Sequence, residues 1–188
     1  DYDQALSYYQ PILRIDPKYK IAYNQIGYCY ARKGDLDRAV AVMEKYEALA
    51  PREPNPYDSM GEIYYNAGEF ALAEKNLRQA LKNDPGFSNS WILLANLYLD
   101  RGEYARADEA ADQLMARSND AAYRSQGFLL RGFIQWRMGR IGEAIARLEE
   151  GLATRISAYR TATWIYELHL EKGDTLGARR SLESSYAF

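Results

Sequence analysis

Apolar and small residues recur along this chain with a fixed period. Aromatic residues stand at 23, 57 and 91 and again at 30, 64 and 98, and alanines stand at 39, 73 and 107, each 34 residues from its counterpart. Gly34, Gly68 and Gly102 share this period, and an acidic residue follows each of them directly. A fixed period of about 20 to 50 residues is typical of proteins that stack one structural unit on the next.

The pattern of each repeat predicts one helix of roughly a dozen residues before its glycine and a second such helix after it. Glycine takes the left-handed conformation that ends the first helix, and the acid after it suits the positive N-terminus of the second helix. Small residues at Gly27, Gly61 and Ala95 are expected where the two helices pass closest. One hairpin cannot bury its apolar face alone, so the units are expected to stack, giving eleven helices and no strand.

Two local signals refine these helices. The sequence predicts that the helix opening the repeat at 54–87 has Asn55 as its N-cap, Pro56 as a first-turn proline and Asp58 as a first-turn acid. Pro11, late in the first helix, is expected to kink that helix or to end it early.

The combination of positions resembles the tetratricopeptide repeat family. The motif of that family has an aromatic residue, a Leu-Gly pair, a tyrosine, two alanine positions with an aromatic residue between them, and a proline. In the repeat at 54–87 these positions are Tyr57, Met60, Gly61, Tyr64, Ala73, Leu77, Ala80 and Pro85. The resemblance implies an all-α, right-handed α-solenoid of helix-turn-helix hairpins that acts as a protein-binding scaffold.

The resemblance covers the chain as a single array. It implies the second half of a truncated repeat at 1–19, then repeats at 20–53, 54–87, 88–124, 125–158 and 159–188. Three extra residues fall in the 88–124 repeat, because Gly139 follows Gly102 by 37 residues, whereas Gly173 follows Gly139 by 34. These residues lengthen either the loop around Ser118–Asp120 or the next helix, and we favour a helix from Ala121 to Met138 because it holds no proline. The last repeat is the least regular.

Composition and charge exclude several classes of protein. Of the 188 residues, 27% are charged and 47% are hydrophobic, which is ordinary globular usage, and the net charge is −2. This balance argues against a basic nucleic-acid binder, although the 17 tyrosines invite a base-stacking hypothesis; most of them stand at repeat-interface positions. No apolar stretch approaches the ~20 residues of a membrane-spanning helix. We therefore expect a soluble protein without membrane insertion, with the cytoplasm favoured.

The candidates for catalysis or metal binding are few. Cys29 and His169 are each the only residue of their type, and a structural role is favoured for both. Asp58 and Glu62 are four residues apart on one helix face, as in some acid–base pairs, but a solvated acidic face is the favoured interpretation. No phosphate loop, metal motif or Gly-flanked serine is present. We expect no enzyme, catalytic residue, metal or cofactor.

The resemblance also implies a concave binding groove lined by the first helices of successive hairpins. Its N-terminal half holds Asn24, Tyr28, Asp58, Glu62 and Tyr65, and its C-terminal half holds Ile92, Asn96, Leu99, Leu129, Phe133 and Trp136. The first half is acidic and the second contains an apolar stripe, so a basic and apolar peptide, helix or protein surface is the implied ligand. The alternative for Leu129, Phe133 and Trp136 is packing against the last hairpin or the long first helix, which would leave no open groove.

Three further expectations concern partners. Many family members hold a C-terminal carboxylate with basic groove residues, but Asn24, Tyr28, Ser59, Asn89 and Leu93 occupy those places, which disfavours this mode. The chain is otherwise expected to be the repeat region of a larger enzyme or signalling protein that positions substrate or mediates assembly. Leu6, Tyr9 and Leu13 lack local cover, which predicts end-to-end contact between copies or a flanking segment.

Overall fold

A computed structural model of the chain describes residues 1–152 and 158–185, and over these residues it forms eleven α-helices without a strand. The helices are α1 (Tyr2–Ile15), α2 (Lys20–Arg32), α3 (Leu36–Leu49), α4 (Asn55–Asn66), α5 (Phe70–Asn83), α6 (Ser88–Asp100), α7 (Tyr104–Arg117), α8 (Ala121–Arg137), α9 (Ile141–Leu152), α10 (Ala158–Glu171) and α11 (Thr175–Ser185). The predicted all-α fold and number of helices are confirmed. The repeat boundaries stay a prediction, and those of the last two repeats involve residues 153–157 and 186–188, which lie outside the described residues.

A glycine separates the two helices of each hairpin. Gly34, Gly68, Gly102, Gly139 and Gly173 all have positive φ angles, between 72° and 80°. Residues with a Cβ atom rarely adopt this conformation, so glycine is required where the first helix must end sharply. The acid that follows caps the second helix in two hairpins, because Asp35 accepts from the backbone N–H of Arg38 and Asp174 accepts from that of Gly177.

The chain divides into two compact units, residues 1–93 and 94–188, with the division inside α6. In the first unit α1 packs on α2, α2 on α3, α3 on α4 and α4 on α5, and α2 also contacts α4. Its central core cluster consists of Ala39, Met43, Tyr46, Ala50, Met60 and Ile63. Gly61 lies where two helices meet closely, since a Cβ atom there would be 2.7 Å from Cγ of Leu77.

The second unit repeats this arrangement. Helix α7 packs on α8, α8 on α9, α9 on α10 and α10 on α11. Its core cluster consists of Ala144, Ile145, Leu148, Ile165 and Leu168. Helix α8 begins at Ala121, where the side chain of Asp120 accepts from the backbone N–H of Ala122 at 2.7 Å. The three inserted residues therefore extend a helix, as predicted.

One predicted helix start is wrong, and an early end predicted for α1 is not observed. Asn55 is the first residue of α4 and not its N-cap, because its side-chain amide donates to the hydroxyl of Tyr46 at 2.9 Å instead of capping the helix. Pro11 lies inside α1 and does not end it, because the helix continues to Ile15, and a kink at Pro11 stays a prediction.

The predicted lack of cover at the N-terminal end is also wrong for the residues named. Leu6 is 7% exposed and forms a core cluster with Ile26 and Cys29, against which Tyr9 and Leu13 pack. Helix α2 therefore covers this side of α1. Tyr2 and Tyr8 are the exposed apolar side chains of α1 near its start. Within the described ranges, no helix has the length and apolar character needed to cross a membrane.

Candidate functional site

Asp58, on α4, is a buried carboxylate with two donors. The residue is 3% exposed, and its Oδ1 and Oδ2 atoms accept from the Ser90 hydroxyl and the Asn89 side-chain amide, each at 2.6 Å. Both donors lie in the first turn of α6, which covers the carboxylate. The predicted solvated acidic face is therefore wrong for Asp58, since the next repeat buries it.

The environment of Asp58 disfavours its charged form. Burial raises the pKa of Asp58, and the negative charge of Glu62 raises it further, while the hydrogen bonds from Ser90 and Asn89 oppose this change. A buried carboxylate that remains short of positive charge is a feature of many binding and catalytic sites.

Tyr28 links α2 to α4 one turn further along. Its hydroxyl donates to Oε2 of Glu62 at 2.7 Å, and both side chains are half-buried. Burial raises the pKa of the Tyr28 hydroxyl, and the charge and hydrogen bond of Glu62 act in the same direction. The phenol therefore stays protonated and holds the Glu62 carboxylate in a fixed position.

Asn24 contributes an acceptor that has no donor. Its Oδ1 atom is buried, and no hydrogen-bond donor of the described residues reaches it. The 34-residue period explains this, because Asp58 is the counterpart of Asn24, and the counterparts of Asn89 and Ser90 are Asn55 and Pro56. Asn55 donates to Tyr46 instead, and a proline has no group to donate. We call the surface of Asn24, Tyr28, Asp58 and Glu62 the α2–α4 face.

The remaining predicted residues on α4 and α6 differ in exposure. Tyr65 is half-buried, and its ring lies 6.0 Å from that of Phe70. Ile92 and Asn96 are half-buried as well. Leu99 is 2% exposed and therefore belongs to the core, where it is not available to a ligand.

The predicted stripe on α8 lies against the last described hairpin. Leu129 and Trp136 pack on the core cluster of the second unit, and the indole N–H of Trp136 donates to Glu171 at 3.0 Å. The ring of Phe133 lies 5.4 Å from that of Trp136 and 5.9 Å from that of Trp164. The alternative interpretation, packing against the last hairpin, thus describes Trp136, whereas Leu129 packs on a cluster formed by α9 and α10 together. We call Phe133, Trp136 and Trp164 the aromatic cluster.

Sequence reasoning missed three residues that matter here. Asn89 and Ser90 hold the Asp58 carboxylate although they lie 31 and 32 residues further along. The sequence could have suggested this contact only through their spacing from Asp58, which is just under one repeat. Trp164 completes the aromatic cluster, and only its being a tryptophan could have suggested that from the sequence.

The candidates for catalytic chemistry have structural positions. Cys29 is buried in a core cluster. Nδ1 of His169 lies 3.0 Å from Asp174, whose pKa is lowered chiefly by the hydrogen bond from the Gly177 backbone and also by His169. Across residues 1–152 and 158–185, no three His, Cys, Asp or Glu side chains come together as a metal site would require.

The repeated hairpins identify the family. Two models of the tetratricopeptide repeat match residues 1–54 and 64–125, together more than half of the chain. The chain belongs to the tetratricopeptide repeat family. Among curated protein sequences, none matches this chain.

Solved structures of the same fold agree with this assignment. Yeast Tom70 superposes with a TM-score of 0.77 at 19% identity, over 95% of this chain and 38% of its own. A chain of the APC/C hetero-tetramer Cut9–Hcn1 gives 0.69 at 18% identity, over 100% of this chain and 36% of its own. BtubC from P. vanneervenii superposes with a TM-score of 0.76 at 13% identity, over 99% of this chain and 87% of its own. This chain therefore spans little more than a third of the first two proteins, and such low identities show the fold alone.

Proposed function

We propose that this chain is a non-catalytic scaffold that binds a protein or peptide partner, and that the α2–α4 face receives a Lys or Arg side chain of that partner. The observation that carries the proposal is the excess of acceptors on this face. Glu62 is half-buried and fixed by Tyr28, Asp58 adds a buried negative charge one turn away that a partner does not touch, and Oδ1 of Asn24 has no donor. Within the described part of the chain, no Lys, Arg or His forms an ion pair with either carboxylate.

A cationic side chain supplies what this face lacks. A buried charge without a counter-charge is costly, and an acceptor left without a donor adds about 1–3 kcal/mol. A guanidinium or ammonium group at the half-buried Glu62 brings N–H donors together with positive charge, and that charge also offsets the charge of the buried Asp58. A neutral ligand brings donors without the charge.

The aromatic cluster of the second unit is proposed as a separate, apolar contact. Phe133 is half-buried beside both tryptophans, and the guanidinium of Arg137 lies 5.9 Å from its ring centroid. Tryptophan is enriched among the residues that dominate binding energy once a partner covers them. The proposed partner is therefore basic and apolar, as the sequence predicted.

The test compares two double variants with the same change in net charge. Asp58→Asn with Glu62→Gln removes both carboxylates of the face, whereas Asp37→Asn with Glu109→Gln removes two exposed acids elsewhere. Partners captured from lysate by the wild-type chain are identified by mass spectrometry, and affinity is then measured with the purified partner. We expect the first variant to lose binding and the second to retain it. Equal binding by both well-folded variants would mean that the partner uses another face.

Trp136→Ala tests the apolar contact with the same partner. A loss of about 2 kcal/mol or more in binding is expected if the aromatic cluster is a hot spot. Because Trp136 also packs on the core, its thermal unfolding must be measured alongside. A loss of stability without a loss of affinity would assign Trp136 a structural role only.

An alternative is that the chain is the repeat region of a larger enzyme or signalling protein, where it positions substrate or mediates assembly. Two of the similar solved chains are much longer than this one. Such a region uses the same surfaces, and the captured partner distinguishes the two, since a substrate is modified by the full-length protein and an assembly partner is not.

A further inference from the structure

A cavity of about 400 Å³ opens beside the α2–α4 face in the first unit. It lies where α2 and α4 end and α3 begins. Its apolar walls are Tyr28, Ala31, Leu36 and Ile63, of which Ile63 is 2% exposed and therefore fixed in the core. The volume is within the range of about 300–1,000 Å³ that is typical of ligand pockets.

Tyr28 belongs to both the pocket and the face. Its hydroxyl donates to Glu62, while the residue also lines the pocket. Asn66, on the pocket wall, follows Glu62 by four residues, and Glu62 follows Asp58 by four. With a rise of about 1.5 Å per residue, Asn66 on the pocket wall lies about 6 Å along α4 from Glu62 and about 12 Å from Asp58, although the wall also reaches Ile63 beside Glu62.

The pocket and the α2–α4 face differ in charge. Arg32 lines the pocket and, within the described residues, forms no ion pair. Its positive charge repels a cation from the pocket, whereas Asp58 and Glu62 attract one to the face. The apolar walls leave the pocket suited to a large uncharged side chain.

We propose that the pocket and the α2–α4 face recognise one short motif, in which a Lys or Arg and a bulky apolar residue stand two to four positions apart. The spacing follows from the geometry, because an extended peptide advances about 3.3–3.6 Å per residue and the two places are about 6–12 Å apart. The cationic position of this motif rests on the proposed function. The apolar position, the pocket that binds it and the spacing between the two positions are new.

The experiment uses capped Gly/Ser peptides with one Arg and one Phe, separated by one to eight positions in either order. Binding to the complete chain is measured by NMR titration, with peptides that hold only the Arg or only the Phe as references. Burial of a phenylalanine side chain should raise the affinity about tenfold or more above that of the Arg-only peptide when the Arg and Phe are two to four positions apart. The gain should fall by roughly threefold at separations of six to eight, because closing a longer flexible linker costs more entropy.

Two variants of equal added bulk identify the pocket. Ala67→Leu fills it, because Ala67 lines the cavity and is itself exposed, so little strain is expected. Ala71→Leu adds the same atoms at an exposed position of α5 that does not line the cavity. The gain from Phe should disappear in Ala67→Leu, where Arg-only binding persists, and should remain in Ala71→Leu.

The outcomes separate this proposal from the one on which it rests. Arg-dependent binding without any gain from Phe, or a gain that survives Ala67→Leu, overturns the motif and leaves the cationic site in place. Phe-dependent binding that ignores the Arg overturns both the motif and the cationic site. Absence of binding by every peptide overturns both as well.

Discussion

At the scale of single residues, Asp58 is a carboxylate that folding removes from water and that α6 holds with two donors. Its raised pKa means that the folded chain binds the Asp58 proton more tightly than the unfolded chain does. Protonated Asp58 thus favours the folded state. As the pH rises through the unfolded value near 3.8 and on to the raised folded value, this contribution to stability is lost.

Asp58→Asn should therefore stabilise the chain at neutral pH. The amide has nearly the same shape and never ionises, so the difference in unfolding free energy between variant and wild type should grow from pH 4 to pH 7. Denaturant unfolding at several pH values measures this difference. A variant that is less stable than wild type at pH 7 would show that the charged carboxylate stabilises the fold.

Asn24→Leu tests the acceptor that has no donor. Leucine has a similar shape and no polar atom, so the unfolding free energy should rise by about 1 kcal/mol, as expected when an unsatisfied buried group is removed. Affinity for a basic peptide should fall at the same time. A less stable variant would indicate that this oxygen is hydrogen-bonded in solution.

At the scale of helices and hairpins, the glycines differ sharply in what surrounds them. A Cβ atom at Gly61 would lie 2.7 Å from Cγ and 2.8 Å from Cδ2 of Leu77, whose side chain is fully buried. At Gly142, on α9, the nearest neighbour of such an atom within 4 Å is the Lys172 ammonium nitrogen, at 3.9 Å. The two positions form a matched pair.

Gly61→Ala is expected to lower the unfolding free energy by about 1–3 kcal/mol, because the helices must move apart. Gly142→Ala, at an exposed position in the first turn of α9, is expected to raise it by up to about 0.5 kcal/mol through helix propensity. Thermal unfolding followed by circular dichroism measures both. Effects of the same sign would contradict close contact of α4 and α5 at Gly61.

The elements also show what the sequence can predict. The 34-residue period was sufficient for the hairpins, for the glycine turns and for the early start of α8, because these depend on residues within one repeat. The burial of Asp58 depends instead on Asn89 and Ser90 of the next repeat, and the repeat motif does not specify either residue. Likewise, Asn55 resembles a cap in sequence, but Tyr46 offers its side chain a partner.

At the scale of the whole molecule, the chain presents exposed apolar residues in its first and last described helices. Tyr8 is 67% exposed in α1, and Leu176 is 73% exposed in α11. End-to-end contact between copies stays a prediction, now assigned to Tyr2 and Tyr8. Sedimentation of Tyr2→Ser with Tyr8→Ser should show less self-association than wild type, whereas Tyr123→Ser, at an exposed tyrosine of α8, should not. A wild-type chain that stays monomeric at high concentration would contradict the prediction.

The binding of a cation to the α2–α4 face is tested most directly by NMR titration of the wild-type chain with a capped Gly-Arg-Gly peptide. The side-chain amides of Asn24 and Asn89 should shift in a saturable way at low salt, and the effect should weaken as salt is added. The carboxylates of Asp108 and Asp112 serve as an internal control, because Arg131 already pairs with them at 3.2 and 3.0 Å. Unchanged Asn24 and Asn89 amides, or equal shifts around Asp108 and Asp112, would contradict a cation site on this face.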